Sequence, residues 1–184
     1  MNRFNSTVLI LPGLGNSGEQ HWQSLWEKEY PELARVNQKE WDAPERRNWT
    51  RTINEKIKEY DADDVILVGH SLGCATVAFW AAEFPTKIKG ALLVAPSDTE
   101  AETYTFPATG FAPIPLEKLP FKTIVVASSN DYYIRLERAK QFADAWGSEF
   151  VEIGEAGHIN ADSGFGRWDK GLKLLEKLDA RARS

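Results

Sequence analysis

The sequence predicts an α/β fold: a doubly wound, mostly parallel sheet of about six strands with helices on both faces. Three observations carry this expectation. Short apolar runs recur along the chain, and they are continuous rather than alternating, as strands covered on both faces are. Between them lie longer stretches whose apolar residues fall at helical spacing. Glycine, proline or a polar cluster closes each run, so that strand and helix alternate, and that alternation builds a parallel sheet.

In chain order, residues 8–11 (V-L-I-L) read as a buried strand closed by Pro12-Gly13, followed by a helix over 19–29 that ends before Pro31. Residues 34–38 are a weaker strand. Trp49, Ile53, Ile57 and Tyr60 share one face of an amphipathic helix. A strand over 65–68 leads into a helix over 72–84 that Pro85 stops, and 91–95 and 123–127 are two further buried strands. A helix over 134–146 meets its stop at Gly147, and 150–153 is the last strand. Trp168, Leu172, Leu175 and Leu178 mark a closing helix. The stretch 96–120, with five prolines, reads equally as a lid over a site or as an irregular surface excursion.

Composition narrows the function classes. At 184 residues the chain suits one domain, 1–184, with a single sizeable core. A net charge of −5, with acids and bases interspersed, argues against nucleic acid as partner. No run approaches the roughly 20 apolar residues of a membrane span, and the polar opening M-N-R-F-N-S-T is unlike a secretory signal. With Cys74 as the only cysteine there is no intrachain disulfide, so a cytoplasmic protein is expected. No ligand-spaced cluster implies a metal, and no organic cofactor is expected.

Gly69-His70-Ser71-Leu72-Gly73 is G-x-S-x-G placed between a predicted strand and a predicted helix. In that position it describes a tight turn that lifts the serine out of the backbone path, with glycines where a Cβ would collide. The following helix aims its positive end at developing negative charge. A nucleophilic serine needs a base within reach. Of the three histidines, His70 sits within the turn and His21 precedes the serine, whereas His158 follows the last strand in G-E-A-G-H-I-N. Serine, acid, then histidine is the chain order of such sites, which selects His158. Two aspartates past strand ends could orient it: Asp131, after S-S-N, and Asp98, after A-P-S. Asp131 closes the penultimate strand and is preferred, with Asp98 as the alternative.

Pro12-Gly13-Leu14-Gly15-Asn16-Ser17-Gly18 holds G-x-G-x-x-G, and Glu40 lies at about the distance a dinucleotide site would require. The same loop has a use beside a nucleophilic serine, where the amides of Leu14 and Leu72 would make an oxyanion hole. Trp22, Trp41 and Trp49 are candidate pocket walls.

Beyond the turn, L-P-G-L-G-N-S with His21-Trp22, E-W-D-A-P with Trp49, G-H-S-L-G-C, S-S-N-D at Asp131 and the string Gly157-His158-Ile159-Asn160-Ala161-Asp162-Ser163-Gly164-Phe165-Gly166 resemble the small serine hydrolases related to retinoblastoma-binding protein 9 and bacterial YdeN. The resemblance covers nearly the whole chain. It implies a compact α/β-hydrolase fold without a large cap, a triad of Ser71, Asp131 and His158, and a small acyl or ester substrate. It does not carry over a retinoblastoma-type partner, because Leu72-Gly73-Cys74-Ala75-Thr76 lacks the acid of Leu-x-Cys-x-Glu. Two other classes compete with the hydrolase: an interaction scaffold with hydrolase architecture, and a nucleotide-binding protein using the glycine-rich loop.

Overall fold

Strand residues that point alternately up and down need cover on both sides, and the chain supplies it. A computed structural model describes residues 3–181. Its strands are β1 (Thr7–Leu11), β2 (Leu33–Arg35), β3 (Val65–His70), β4 (Gly90–Val94), β5 (Lys122–Ala127) and β6 (Glu149–Glu152). They form one parallel sheet in the order β2-β1-β3-β4-β5-β6. The helices are α1 (Trp22–Glu29), α2 (Arg46–Ile57), α3 (Leu72–Glu83), α4 (Leu136–Trp146) and α5 (Asp169–Arg181).

Val8, Ile10, Ile66, Val68, Leu92, Val94, Ile124 and Val126 face one side, where Trp22 and Trp26 of α1 and Leu172, Leu175 and Leu178 of α5 cover them. Leu9, Leu11, Leu67, Leu93 and Val125 face the other, beneath α2, α3 and α4. This two-sided cover is why the strands read as unbroken apolar runs. Helix α3 is buried from Leu72 to Trp80 rather than amphipathic, as befits a helix enclosed by its neighbours. No helix among the described residues is long and apolar enough to cross a membrane.

Most element boundaries lie within three residues of expectation. The second strand spans Leu33–Arg35 and not 34–38: it is an edge strand held only by β1. Helix α1 starts at Trp22 and not at 19, because the His21 side chain accepts from the Gln23 amide and caps it there. Only part of the 96–120 stretch overlies the site described below. Phe111, Ile114 and Leu119 plug the core, the Leu119 amide donates to Trp146 O, and the Trp146 indole donates to Pro115 O.

From β1 the chain winds outward to β2, then returns past β1 to β3 and onward. The order therefore reverses between β1 and β3. A doubly wound sheet opens a crevice at the carboxyl ends of its strands at such a switch point.

Candidate active site

Ser71 stands at that crevice, alone between the end of β3 and the start of α3. Its backbone has φ 56° and ψ −123°, a conformation that costs a non-glycine residue about 1–3 kcal/mol. The turn is held from both sides: Ser71 N donates to Val94 O at the end of β4, and Cys74 N donates to Ser71 O, both at 3.0 Å. The glycine requirement is steric. A Cβ on Gly73 would lie 2.3 Å from Leu11 O, so α3 could not begin where it does. A Cβ on Gly13 would lie 2.8 Å from the Ser71 Cβ and 3.1 Å from Leu72 N, which measures how closely the first loop runs against the turn.

His158 is carried by the loop after β6, which the segment following β5 and the end of β3 hold in place. Ser128 Oγ accepts from Ala156 N, and Asn130 Oδ1 accepts from Gly157 N. Ser163 Oγ accepts from His158 N and itself donates to Asn160 Oδ1. His70 Nε2 donates to His158 O at 2.9 Å, and the Trp22 indole donates to Ile159 O. These contacts explain the motif residues physically: Ser128 and Asn130 before Asp131, and Asn160 and Ser163 after His158, are the polar ties that fix one loop.

Asp131 accepts from His158 Nδ1, with both carboxylate oxygens at 2.9 Å, and its Oδ1 also accepts from Tyr133 N. Its side chain is fully buried. Asp98 lies elsewhere: it faces the Arg138 guanidinium at 3.5 Å and accepts from Glu100 N. Ser71 Oγ hydrogen-bonds Ser97 Oγ at 2.7 Å. Cys74 is a core residue whose Sγ donates to Val94 O, and burial pushes its thiol well up.

One cavity of about 180 Å³ brings Ser71, His158 and Leu14 together with Gly13, Asn16, His21, His70, Ser97, Asn160 and an aromatic wall of Tyr104, Phe106 and Tyr133. Tyr133 meets the His158 ring edge-on at 4.5 Å, and Phe106 lies against Tyr133. Trp22, Trp41 and Trp49 do not line this cavity. Trp22 packs with Trp26 and Trp168 behind the His158 loop, and Trp49 packs with Trp41 and Phe111 in the core over the opposite sheet face. Tyr104, Phe106, Tyr133 and Ser97 are the site residues that sequence reading missed. Ser97 stands one residue before the Asp98 weighed as an acid, at the carboxyl end of β4 where a doubly wound sheet places its chemistry.

The glycine-rich loop is committed to the protein itself. Gly15 N donates to Trp41 O, Asn16 N to Gly13 O and Ser17 N to Asn16 Oδ1, while His21 occupies the Gln23 amide at the head of α1. Three loop amides and a helix-terminal amide that a phosphate would need are already bonded.

Three histidine rings line up at the site, His21 to His70 at 4.7 Å and His70 to His158 at 4.9 Å. Burial, with Arg35 and His158 nearby, lowers His21 to about 4, and burial also holds His70 well below the usual histidine value. Both stay neutral near pH 7. Between pH 6.5 and 4 the unfolded chain binds a proton at His21 that the folded chain does not, so stability is lost as the pH drops through that window, by up to about 3 kcal/mol. His21→Asn keeps a capping side chain and removes this linkage. Urea unfolding at pH 7 and pH 4 should show the variant losing about 3 kcal/mol less than the parent. Parallel losses would refute the linkage.

The sheet order, the strained serine turn and the placement of the histidine loop define an α/β-hydrolase. The chain belongs to the serine hydrolase family, whose model matches residues 8–177. Among solved structures, a protein described as a YdeN-like hydrolase from Pectobacterium atrosepticum is 35% identical, with a TM-score of 0.86 over 96% of this chain and 91% of that one. The ydeN gene product of B. subtilis is 19% identical, with a TM-score of 0.75 over 96% of this chain and 100% of that one. An α/β hydrolase enzyme from the metagenome of lagoon sediments at Mar Chica, Morocco, is 17% identical, with a TM-score of 0.71 over 98% and 94% of the two chains. No curated protein matches the chain.

Proposed function

We propose that the chain hydrolyses small carboxylic esters, or closely related acyl compounds, through an acyl-enzyme on Ser71. The observation that carries this reading is the hydrogen bond from His158 to the buried Asp131, with His158 lining the same cavity as Ser71 on its strained turn. With Nδ1 donating to Asp131, His158 presents a bare Nε2 to take the serine proton, and the buried carboxylate stabilises the imidazolium that results. The amides of Leu72 and Leu14 are the proposed oxyanion donors. Leu72 N is the first of α3 and so has no intrahelical acceptor. Among the described residues neither amide makes a backbone hydrogen bond outside regular structure. A free, buried thiol as the only cysteine fits a cytoplasmic setting.

Cavity size supports a small acyl group. An engineered cavity of about 150 Å³ holds a benzene ring, so about 180 Å³ accommodates a short chain or a single ring. p-Nitrophenyl acetate and butyrate should be cleaved with kcat/KM at least about tenfold above the decanoate, a difference of about 1.4 kcal/mol. A rate that climbs with chain length would contradict the small-acyl reading. Chelators should leave the rate unchanged. Inactivation that added zinc reverses would point to metal-assisted hydrolysis instead.

A further inference from the structure

We propose that Ser97 is a further catalytic residue, whose hydroxyl donates a hydrogen bond to the nucleophile Ser71 and stabilises negative charge on its Oγ each time that oxygen is without its proton. This rests on the acyl-enzyme reading above and adds to it a group that neither the serine turn nor the Asp131–His158 pair supplies.

The contact is direct. Ser97 Oγ lies 2.7 Å from Ser71 Oγ, within the usual range for one hydroxyl donating to another. Ser97 is 2% exposed and lines the same cavity as Ser71 and His158. Its place is set by rigid structure. The Ala95 amide donates to Val126 O of β5, Ala95 itself has φ 47°, and Ser71 N donates to Val94 O of the same strand end. The end of β4 therefore holds both the backbone of the nucleophile and the hydroxyl that touches it. Among the described residues the Ser97 hydroxyl has no other hydrogen-bond partner.

Counting protons assigns the donor. Each hydroxyl has one hydrogen to give and lone pairs to accept with. The Ser71 hydrogen must point at His158 Nε2 if His158 is to remove it, since Nδ1 is engaged with Asp131. The hydrogen between the two serines then belongs to Ser97. In acylation, Ser71 Oγ bonds to the carbonyl carbon, the carbon–alkoxy bond breaks, and the Ser71 proton passes through His158 to the leaving alkoxide. In deacylation, water bonds to the acyl carbon, the carbon–Oγ bond breaks, and the water's proton returns through His158 to Oγ. Oγ carries negative charge as its proton leaves in the first half and as its carbon bond breaks in the second. Ser97 donates to it at both points and gives up no proton of its own. In the acyl-enzyme between them Oγ is an ester oxygen and a poor acceptor, so the bond strengthens where charge develops, and that makes it catalytic rather than merely structural.

Ser97→Ala removes one oxygen and leaves no overpacking, so folding is preserved, and a melting curve checks this. Two quantities are compared with the parent: the second-order rate of Ser71 labelling by a fluorophosphonate, and steady-state kinetics on p-nitrophenyl butyrate. The expected result is a loss of about ten- to a hundred-fold in both the labelling rate and kcat, with KM within about twofold. An unchanged labelling rate and kcat would overturn the proposal. A faster variant would overturn it too, by showing that Ser97 holds Ser71 away from His158. If the parent protein is not labelled at Ser71 at all, the acyl-enzyme reading itself fails and the role of Ser97 goes with it.

Discussion

Ser71→Ala is expected to lower kcat/KM on short aryl esters by at least about 10⁴-fold while the melting temperature stays near that of the parent. The size follows from the proposed chemistry: without Oγ the proposed acyl-enzyme cannot form, which leaves only binding and the proposed oxyanion donors to assist direct attack by water. The small stability effect follows from structure. Among the described residues the side chain makes a single hydrogen bond, to Ser97, while the turn is held by backbone bonds to Val94 O and from Cys74 N that alanine retains. Alanine at φ 56° is strained much as serine is, so no strain is relieved. Matched kinetics and thermal melts measure both quantities. Activity within tenfold of the parent would place the nucleophile elsewhere.

Asp131→Asn should cost about 10²–10⁴ in kcat, or about 3–5.5 kcal/mol, with little change in KM. The surroundings of Asp131 dictate the sign. Oδ1 accepts from the Tyr133 amide, so an asparagine there keeps its carbonyl oxygen on Tyr133 and turns its NH₂ toward His158 Nδ1. His158 must then accept at Nδ1 and carry its proton on Nε2, the tautomer that cannot take the proton of Ser71. Asp98→Asn is the internal comparison. Its carboxylate meets Arg138 and the Glu100 amide, neither of which touches His158, so a loss of less than about threefold is expected. A crippled Asp98→Asn beside an active Asp131→Asn would reverse the assignment of the acid.

The parts of this site visible in sequence are those whose physics is local. The turn around Ser71 requires a glycine where α3 meets Leu11 O, and that requirement shows as a spacing. Asp131 and His158 stand just past strand ends, where parallel order places chemistry, and the polar residues around them are loop ties written in short strings. The cavity wall is of another kind. Tyr104 and Phe106 come from a stretch with no periodicity, and they face the site because Phe111, Ile114 and Leu119 further along are pinned into the core. Nothing local distinguishes Trp22 in a core cluster from a tryptophan lining a pocket. Its direction is set by Ile159 O, 137 residues away in the chain. Ser97 is invisible for the same reason, since its partner lies across the β3–β4 pair.

Active-site labelling with a fluorophosphonate, followed by peptide mass mapping, locates the nucleophile itself, because the probe reacts preferentially with a serine activated by a base and needs no knowledge of the natural substrate. One adduct is expected, on the peptide carrying Gly69-His70-Ser71-Leu72-Gly73, lost in Ser71→Ala and slowed in Asp131→Asn. An adduct on Ser17, Ser128 or Ser163, or no adduct on a folded protein, would contradict it.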